Sequence, residues 1–105
     1  MAQALMNNAD KRESRRDEVH YRTRATMPDG QSVQVLVVNM SARGLMARCE
    51  APLAQGDPVR VRLPVVGTVS GEVRWALGGR FGCELEATIP LADYMMVLAT
   101  MAAQV

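Results

Sequence analysis

Residues 32–44 read SVQVLVVNMSARG, a valine-rich run that passes without a break into a polar hexapeptide. In an extended chain Val33, Val35 and Val37 share one face while Gln34, Leu36 and Val38 share the other, which predicts a central strand apolar over most of both faces. The hexapeptide NMSARG, residues 39–44, then supplies a polar turn whose small residues let an anion or a base approach the backbone. Asn39 offers an amide to a base edge or phosphate, Ser41 a hydroxyl donor, and Gly44 either a positive φ or a close backbone contact. Taken alone, the same six residues describe an Asx-type turn between two strands with no ligand.

What shifts the balance towards a binding site lies just upstream, where residues 11–22 read KRESRRDEVHYR. Arg12, Arg15, Arg16 and Arg22 carry guanidinium forks that match phosphate, and the Hoogsteen edge of guanine, through paired hydrogen bonds. His20, the sole histidine, donates one or two hydrogen bonds but lacks the fork. Half of the twelve basic residues lie between Lys11 and Arg24, yet the net charge of the 105 residues is only +1. That balance argues against a protein that coats nucleic acid or anionic membrane through bulk charge, so an electropositive site has to be local. A solvated basic tail, offset by Asp10, Glu13, Asp17 and Glu18, is the competing reading of this stretch.

Alternating patterns flank this centre on both sides. Residues 19–27, VHYRTRATM, alternate bulky or β-branched side chains with polar ones and run into the turn residues Pro28, Asp29 and Gly30, which predicts a preceding strand. Further strands are expected at 44–49, at 59–63, at 68–75, and at 80–86 beyond the Gly78 and Gly79 turn. Trp75 stands in phase with Val69 and Val73 and is therefore expected as an aromatic of the core or its rim. Six short strands with no helix between them predict an all-β antiparallel barrel or sandwich. After Pro90 the period changes: Leu91, Met95, Leu98 and Ala102 recur at helical spacing, as the apolar stripe of a closing amphipathic helix. Met95, Met96, Val97 and Met101 extend its apolar surface, so one face is available to close the barrel and another to meet a partner.

Residues 1–14 show no sustained periodicity and are expected to form a flexible lead-in to one domain over 15–105. No run is long or apolar enough to span a bilayer and the N-terminus lacks the pattern of a signal peptide, from which a cytoplasmic protein is expected. Cys49 and Cys83 sit inside apolar strand-like runs, not at metal-ligand spacing, and read as two buried thiols. With no basic partner near either cysteine, no Gly-rich loop opening a helix, and no nucleophile turn around Ser41, neither catalysis nor metal binding is expected. Four aromatic residues are too few to suit a barrel that stacks the bases of single strands.

An arginine cluster, a strand hairpin, NxSxxG, and alternating strands ending in VRWALGGRFGCEL and a helix together resemble a PilZ domain over roughly residue 12 to the C-terminus. The resemblance implies a six-stranded antiparallel β-barrel with a C-terminal α-helix. For many members it also implies binding of the bacterial second messenger cyclic di-GMP, through an RxxxR motif before the first strand and a (D/N)xSxxG motif at the end of the second. Asn39, Ser41 and Gly44 match the second motif completely, and Arg12 and Arg16 satisfy the first literally. Because the family's second arginine usually abuts the first strand, a strand beginning near residue 19 would instead pair Arg16 with His20, with Arg22 as a substitute from the strand. The resemblance thus implies a non-enzymatic effector or adaptor binding cyclic di-GMP through Arg15, Arg16, Asn39, Ser41 and Gly44, with Arg12, His20 and Arg22 as contingent contacts. It would relay the second-messenger level to an unidentified protein partner, as a monomer or weak homodimer, without nucleic acid and without membrane insertion. The alternative is a degenerate PilZ-like protein-interaction module that binds no nucleotide.

Overall fold

Each alternating run becomes a strand in the computed structural model, which describes residues 15–104. The strands are β1 (Asp17–Thr26), β2 (Ser32–Ser41), β3 (Gly44–Arg48), β4 (Pro58–Leu63), β5 (Gly67–Leu77) and β6 (Arg80–Leu85). They pair antiparallel in the order β1-β2-β3-β6-β5-β4 and close into a barrel, after which comes helix α1 (Leu91–Ala103). This is the six-stranded barrel with a C-terminal helix that the family resemblance implies, and it decides between the barrel and the sandwich that the alternating pattern leaves open. Burial on β4 alternates residue by residue, so that Val59, Val61 and Leu63 enter the core while Arg60 and Arg62 face water. Val35, Val37, Leu45, Val73 and Phe81 complete the nearly dry centre, and apolar burial worth roughly 25 cal/mol per Å² drives closure. Cys49 and Cys83 are both free and buried, as expected.

The β5–β6 hairpin turns on Gly78 and Gly79, whose φ values of 62° and 78° give the two-residue left-handed turn that suits strand twist. The seam that closes the barrel is much shorter than the hairpins. Between β1 and β4 only Ala25 with Val61 and Thr26 with Arg60 stand opposite one another, and Thr23 Oγ1 adds a hydrogen bond at 2.7 Å to the Arg62 carbonyl.

Strict alternation fails at three places, and the failures matter more for the site than the regular pairing does. Register shifts occur in β1 between Glu18 and Tyr21, in β2 between Val37 and Asn39, and in β5 between Val73 and Trp75. An inserted residue reverses which face the following side chains occupy. Val35 and Val37 point inward, and unbroken alternation would carry Asn39 inward after them; instead Met40 is buried and Asn39 moves to the outer face. Likewise Val73 is buried but Trp75 is 41% exposed, so of the core and rim positions that its phase with Val69 and Val73 predicts, Trp75 does not take the core one.

Helix α1 is present where expected but presents a different face. Leu91 and Met95 are 52% and 57% exposed, Leu98 packs only partly, and the buried stripe is Tyr94, Val97 and Met101. Tyr94 explains the rotation. Its hydroxyl lies 2.6 Å from Asp17 Oδ2 and 3.0 Å from the Met40 carbonyl oxygen, and these two acceptors on β1 and β2 fix which side of the helix turns inward. Burial first, and the neighbouring Asp17 carboxylate second, hold this phenol well above its ordinary pKa. No helix among the described residues is long and apolar enough to cross a membrane.

Candidate functional site

Directly opposed residues on neighbouring strands share a face, so the pairing itself lays out the outer surface. Asn39 stands opposite Glu18 and Met46, Met46 opposite Gly82, and Gly82 opposite Trp75, which makes one continuous row across β1, β2, β3, β6 and β5. The next row runs Ser41, Gly44, Glu84, Glu72. Arg16 immediately precedes β1 and donates from Nη1 to Asn39 Oδ1 at 2.9 Å. Arg16, Ser41, Gly44, Trp75 and Gly82 line a single open cleft of about 410 Å³, together with Arg43 and Arg74.

The NMSARG segment is not a six-residue turn: it is the end of β2, a two-residue turn at Ala42 and Arg43, and the first residue of β3, and it is built to stay in place. Arg43 N–H donates to Ser41 Oγ at 3.2 Å, while the Ala42 and Arg43 carbonyls accept from Ile89 and Leu85 at 2.8 Å each. Ser41 is only 4% exposed, and its hydroxyl, already accepting from the turn, keeps its proton for another acceptor. Gly44 serves by its lack of a side chain and not by a positive φ: a Cβ there would meet the Cys83 carbonyl oxygen at 2.5 Å. Gly82 does the same for Trp75, since a Cβ at Gly82 would overlap the indole ring that lies across it. The indole is 41% exposed and lines the cleft.

Charge in the cleft is divided between held and available groups. Arg74 donates from Nε and Nη2 to Glu84 Oε1 at 3.0 and 2.7 Å, and from Nη1 to Glu72 Oε2 at 3.3 Å. The hydrogen bond to Glu84, then the charges of Glu84 and Glu72, raise its pKa further, so Arg74 is a neutralised strut. Arg16, by contrast, spends one donor on Asn39, a neutral amide, and retains full charge and most of its fork. Burial pushes the Cys83 thiol up to about 11, which leaves it protonated and unsuited to nucleophilic work.

Arg16, Asn39, Ser41 and Gly44 therefore come together on one surface, where Arg16, Ser41 and Gly44 line the cleft and Asn39 stands beside it, held by Arg16. Arg15 is exposed and lies 3.7 Å from Asp17 Oδ1, beside that surface and outside the lining of the cleft. His20 is exposed within the β1 bulge and does not line the cleft. Arg22 is opposite Leu36 and lines a separate cleft further along the barrel, away from Asn39 and Ser41. Arg12 lies outside the described residues. Sequence reasoning assigns Trp75 to the core or its rim and does not single out Arg74 or Gly82; a lone glycine inside the strand pattern FGCEL is the signal that points to this part of the cleft, because mid-strand glycine marks a bulge or a close approach.

The sequence profile of the PilZ domain family matches residues 10–102. No curated protein shows significant sequence similarity to the chain. Among solved structures, the fold is similar to the PlzA protein of Borreliella burgdorferi, determined in complex with c-di-GMP, with a TM-score of 0.64 at 12% identity over 93% of this chain and 43% of that one. It is similar to the Bacillus subtilis inhibitor of motility MotI/DgrA, with a TM-score of 0.58 at 17% identity over 85% of this chain and 48% of that one. The PilZ domain of CeSA from a cellulose-synthesizing bacterium gives a TM-score of 0.60 at 18% identity over 87% of this chain and 98% of that domain. The chain thus spans less than half the length of the first two proteins and nearly the whole of the third.

Proposed function

The chain belongs to the PilZ domain family, and from that premise we propose that it is a non-enzymatic effector that binds cyclic di-GMP at the cleft beside Arg16 and relays the second-messenger level to a protein partner. The observation that carries this reading is the Arg16 to Asn39 hydrogen bond at 2.9 Å, which holds a charged guanidinium from one family motif against the first residue of the other. Phosphate takes the Arg16 fork and the Ser41 hydroxyl proton, the Asn39 amide nitrogen, beside the cleft, donates to a guanine edge or phosphate, and the exposed indole of Trp75 stacks a base. Because β1 begins at Asp17, Arg16 already abuts the first strand. This favours the literal pairing of Arg12 with Arg16 over that of Arg16 with His20, and Arg12 then supplies the second fork.

The relay follows from chain connectivity. Asp17, the residue after Arg16, accepts the hydrogen bond from Tyr94 of α1, so a ligand that repositions the arginine segment acts directly on the anchor of the helix. Binding in the cell interior, where cyclic di-GMP is made, belongs to the same reading. Calorimetry with cyclic di-GMP tests it: binding with micromolar affinity is expected, lost by about tenfold or more in Arg16→Ala and retained in Arg60→Ala. Absence of heat at high micromolar protein would sink the proposal.

A second reading draws on the exposure of Leu91, Met95 and Met96 along α1. Large apolar side chains left in water on one helix suit a protein-interaction module that needs no nucleotide. A partner whose affinity is the same with and without cyclic di-GMP is the result that selects it.

A further inference from the structure

Six of the arginines, Arg22, Arg24, Arg48, Arg60, Arg62 and Arg80, stand exposed on the barrel wall away from the Arg16 cleft, and none forms an ion pair with a described carboxylate. The register makes them a connected surface. Arg22 is opposite Leu36, Leu36 opposite Arg48, Arg48 opposite Arg80, and Arg80 opposite Leu77, so one outer row runs Arg, Leu, Arg, Arg, Leu across five strands. Arg24, Arg60 and Arg62 line an adjoining hollow on the β1 and β4 side. A cleft of about 1190 Å³ lies along the Arg22 and Arg48 part of the row, with Leu36 and Ala51 as apolar lining, and shares no lining residue with the Arg16 cleft. Among the described residues, Glu50 is the one carboxylate on its rim.

We propose that this face is a docking site for an acidic amphipathic helix of a partner protein. Charge complementarity sets the sign, because like charges stacked along one row repel until anions lie between them. Apolar residues interleaved with the arginines set the class: Leu77 is 81% exposed at the end of the row and Leu36 lies between two arginines, and both ask for apolar side chains from the occupant. A single-stranded nucleic acid would want aromatic stacking surfaces, and no aromatic residue lines this cleft. An anionic bilayer is flat, whereas this face is a curved barrel wall with a cleft along it. The closed barrel offers no free strand edge, so a peptide cannot add as a strand and has to bind through side chains. Strands lie about 4.8 Å apart, which puts Arg48 next to Arg80 and about 10 Å from Arg22, close to the one-turn and two-turn spacings of carboxylates on an α-helix.

The test uses the full chain, labelled with ¹⁵N, and a synthetic helical peptide about 18 residues long carrying Glu and Leu at i, i+3, i+4 and i+7, beside a scrambled peptide of the same composition. Amide shifts are expected to cluster at Arg22, Leu36, Arg48, Ala51 and Arg80. Affinity is expected to fall by about tenfold or more in the Arg48→Glu/Arg80→Glu double variant, and to be unchanged in Arg16→Ala and by saturating cyclic di-GMP. The uncharged Arg48→Gln/Arg80→Gln variant, at exposed positions that keep the fold, gives an intermediate loss with an unaltered thermal melt. Shifts clustered around Arg16 or along α1, equal binding of the scrambled peptide, or no binding overturn the proposal. So does tighter binding to an oligothymidylate or to phosphatidylglycerol vesicles, the first in favour of nucleic acid and the second of a membrane surface.

Discussion

The barrel wall carries two sets of arginines, and they are kept in opposite ways. At the Arg16 cleft the guanidinium groups of Arg16 and Arg74 are engaged, with Asn39 and with Glu72 and Glu84, and the backbone of Arg43 is tied to Ser41 and Leu85; in the other set Arg24 alone is held, by Ser32. Along the Arg22, Arg48 and Arg80 row no described carboxylate answers the charge. The first region is organised before any ligand arrives, with two glycines cleared to let backbone and indole pack closely, so binding there loses little conformational freedom. The second is a set of solvated side chains whose order has to come from the occupant. A small, rigid anion suits the former, and a long, deformable one the latter.

The sharpest way to break the contrast is to disturb the close packing. Gly44→Ala drives a Cβ into the Cys83 carbonyl, against backbone that cannot swing aside, and should cost about 2–3 kcal/mol in chemical denaturation. Removing a charge from the organised side comes next: Arg16→Ala should weaken cyclic di-GMP binding by about tenfold or more, and Arg48→Ala, on the open face, should leave that binding unchanged in the same calorimetric titration.

Alkaline pH should also strike the organised side first. The Cys83 thiol is raised by burial from an ordinary value of 9.0 to about 11, so its contribution is fully present below about pH 9 and lost as pH rises towards about 11. Stability measured between pH 8 and 11 should fall by on the order of 2 kcal/mol, and Cys83→Ala should flatten that slope. Gly82→Ala acts through a side chain instead of the backbone. It displaces the Trp75 indole, and should reduce ligand affinity by about fivefold and alter the emission of the only tryptophan, with a small loss of stability. The smallest effect is expected where nothing is held: Arg80→Ala should change stability by no more than about 0.5 kcal/mol.

Period-2 patterning made all six strands readable, and β4 shows why: every second side chain there is buried and the sequence alternates to match. What stayed hidden were the departures from that period. A bulge adds one residue without a compositional mark, so Trp75 reads as core from its neighbours and becomes part of the cleft only through the shift after Val73. The start of β1 was misread for a related reason, since Asp17 and Glu18 do not resemble strand residues yet pair with Met40 and Asn39, and that moves Arg16 up against the strand. In α1 the periodicity was visible but its phase was set by Tyr94, whose hydrogen bonds to Asp17 and Met40 no local pattern reveals. Asn39, Ser41 and Gly44 are legible because they fall within six residues, across the end of β2, a two-residue turn and the start of β3; the partners that pair them with Arg16 and Trp75 are non-local.

The brief seam between β1 and β4 has a consequence for how the molecule breathes. Strands that carry the cleft, β1, β2, β3, β6 and β5, form an unbroken run of neighbours, and β4 alone lies outside it. The lowest-energy opening therefore unzips Ala25 from Val61 and Thr26 from Arg60 while leaving Arg16, Asn39, Gly44 and Trp75 on one intact sheet. Backbone amides of residues 60–62 that face β1 should exchange with deuterium ahead of those in the β2–β3 ladder, and the recognition surface should outlast the integrity of the closed cylinder.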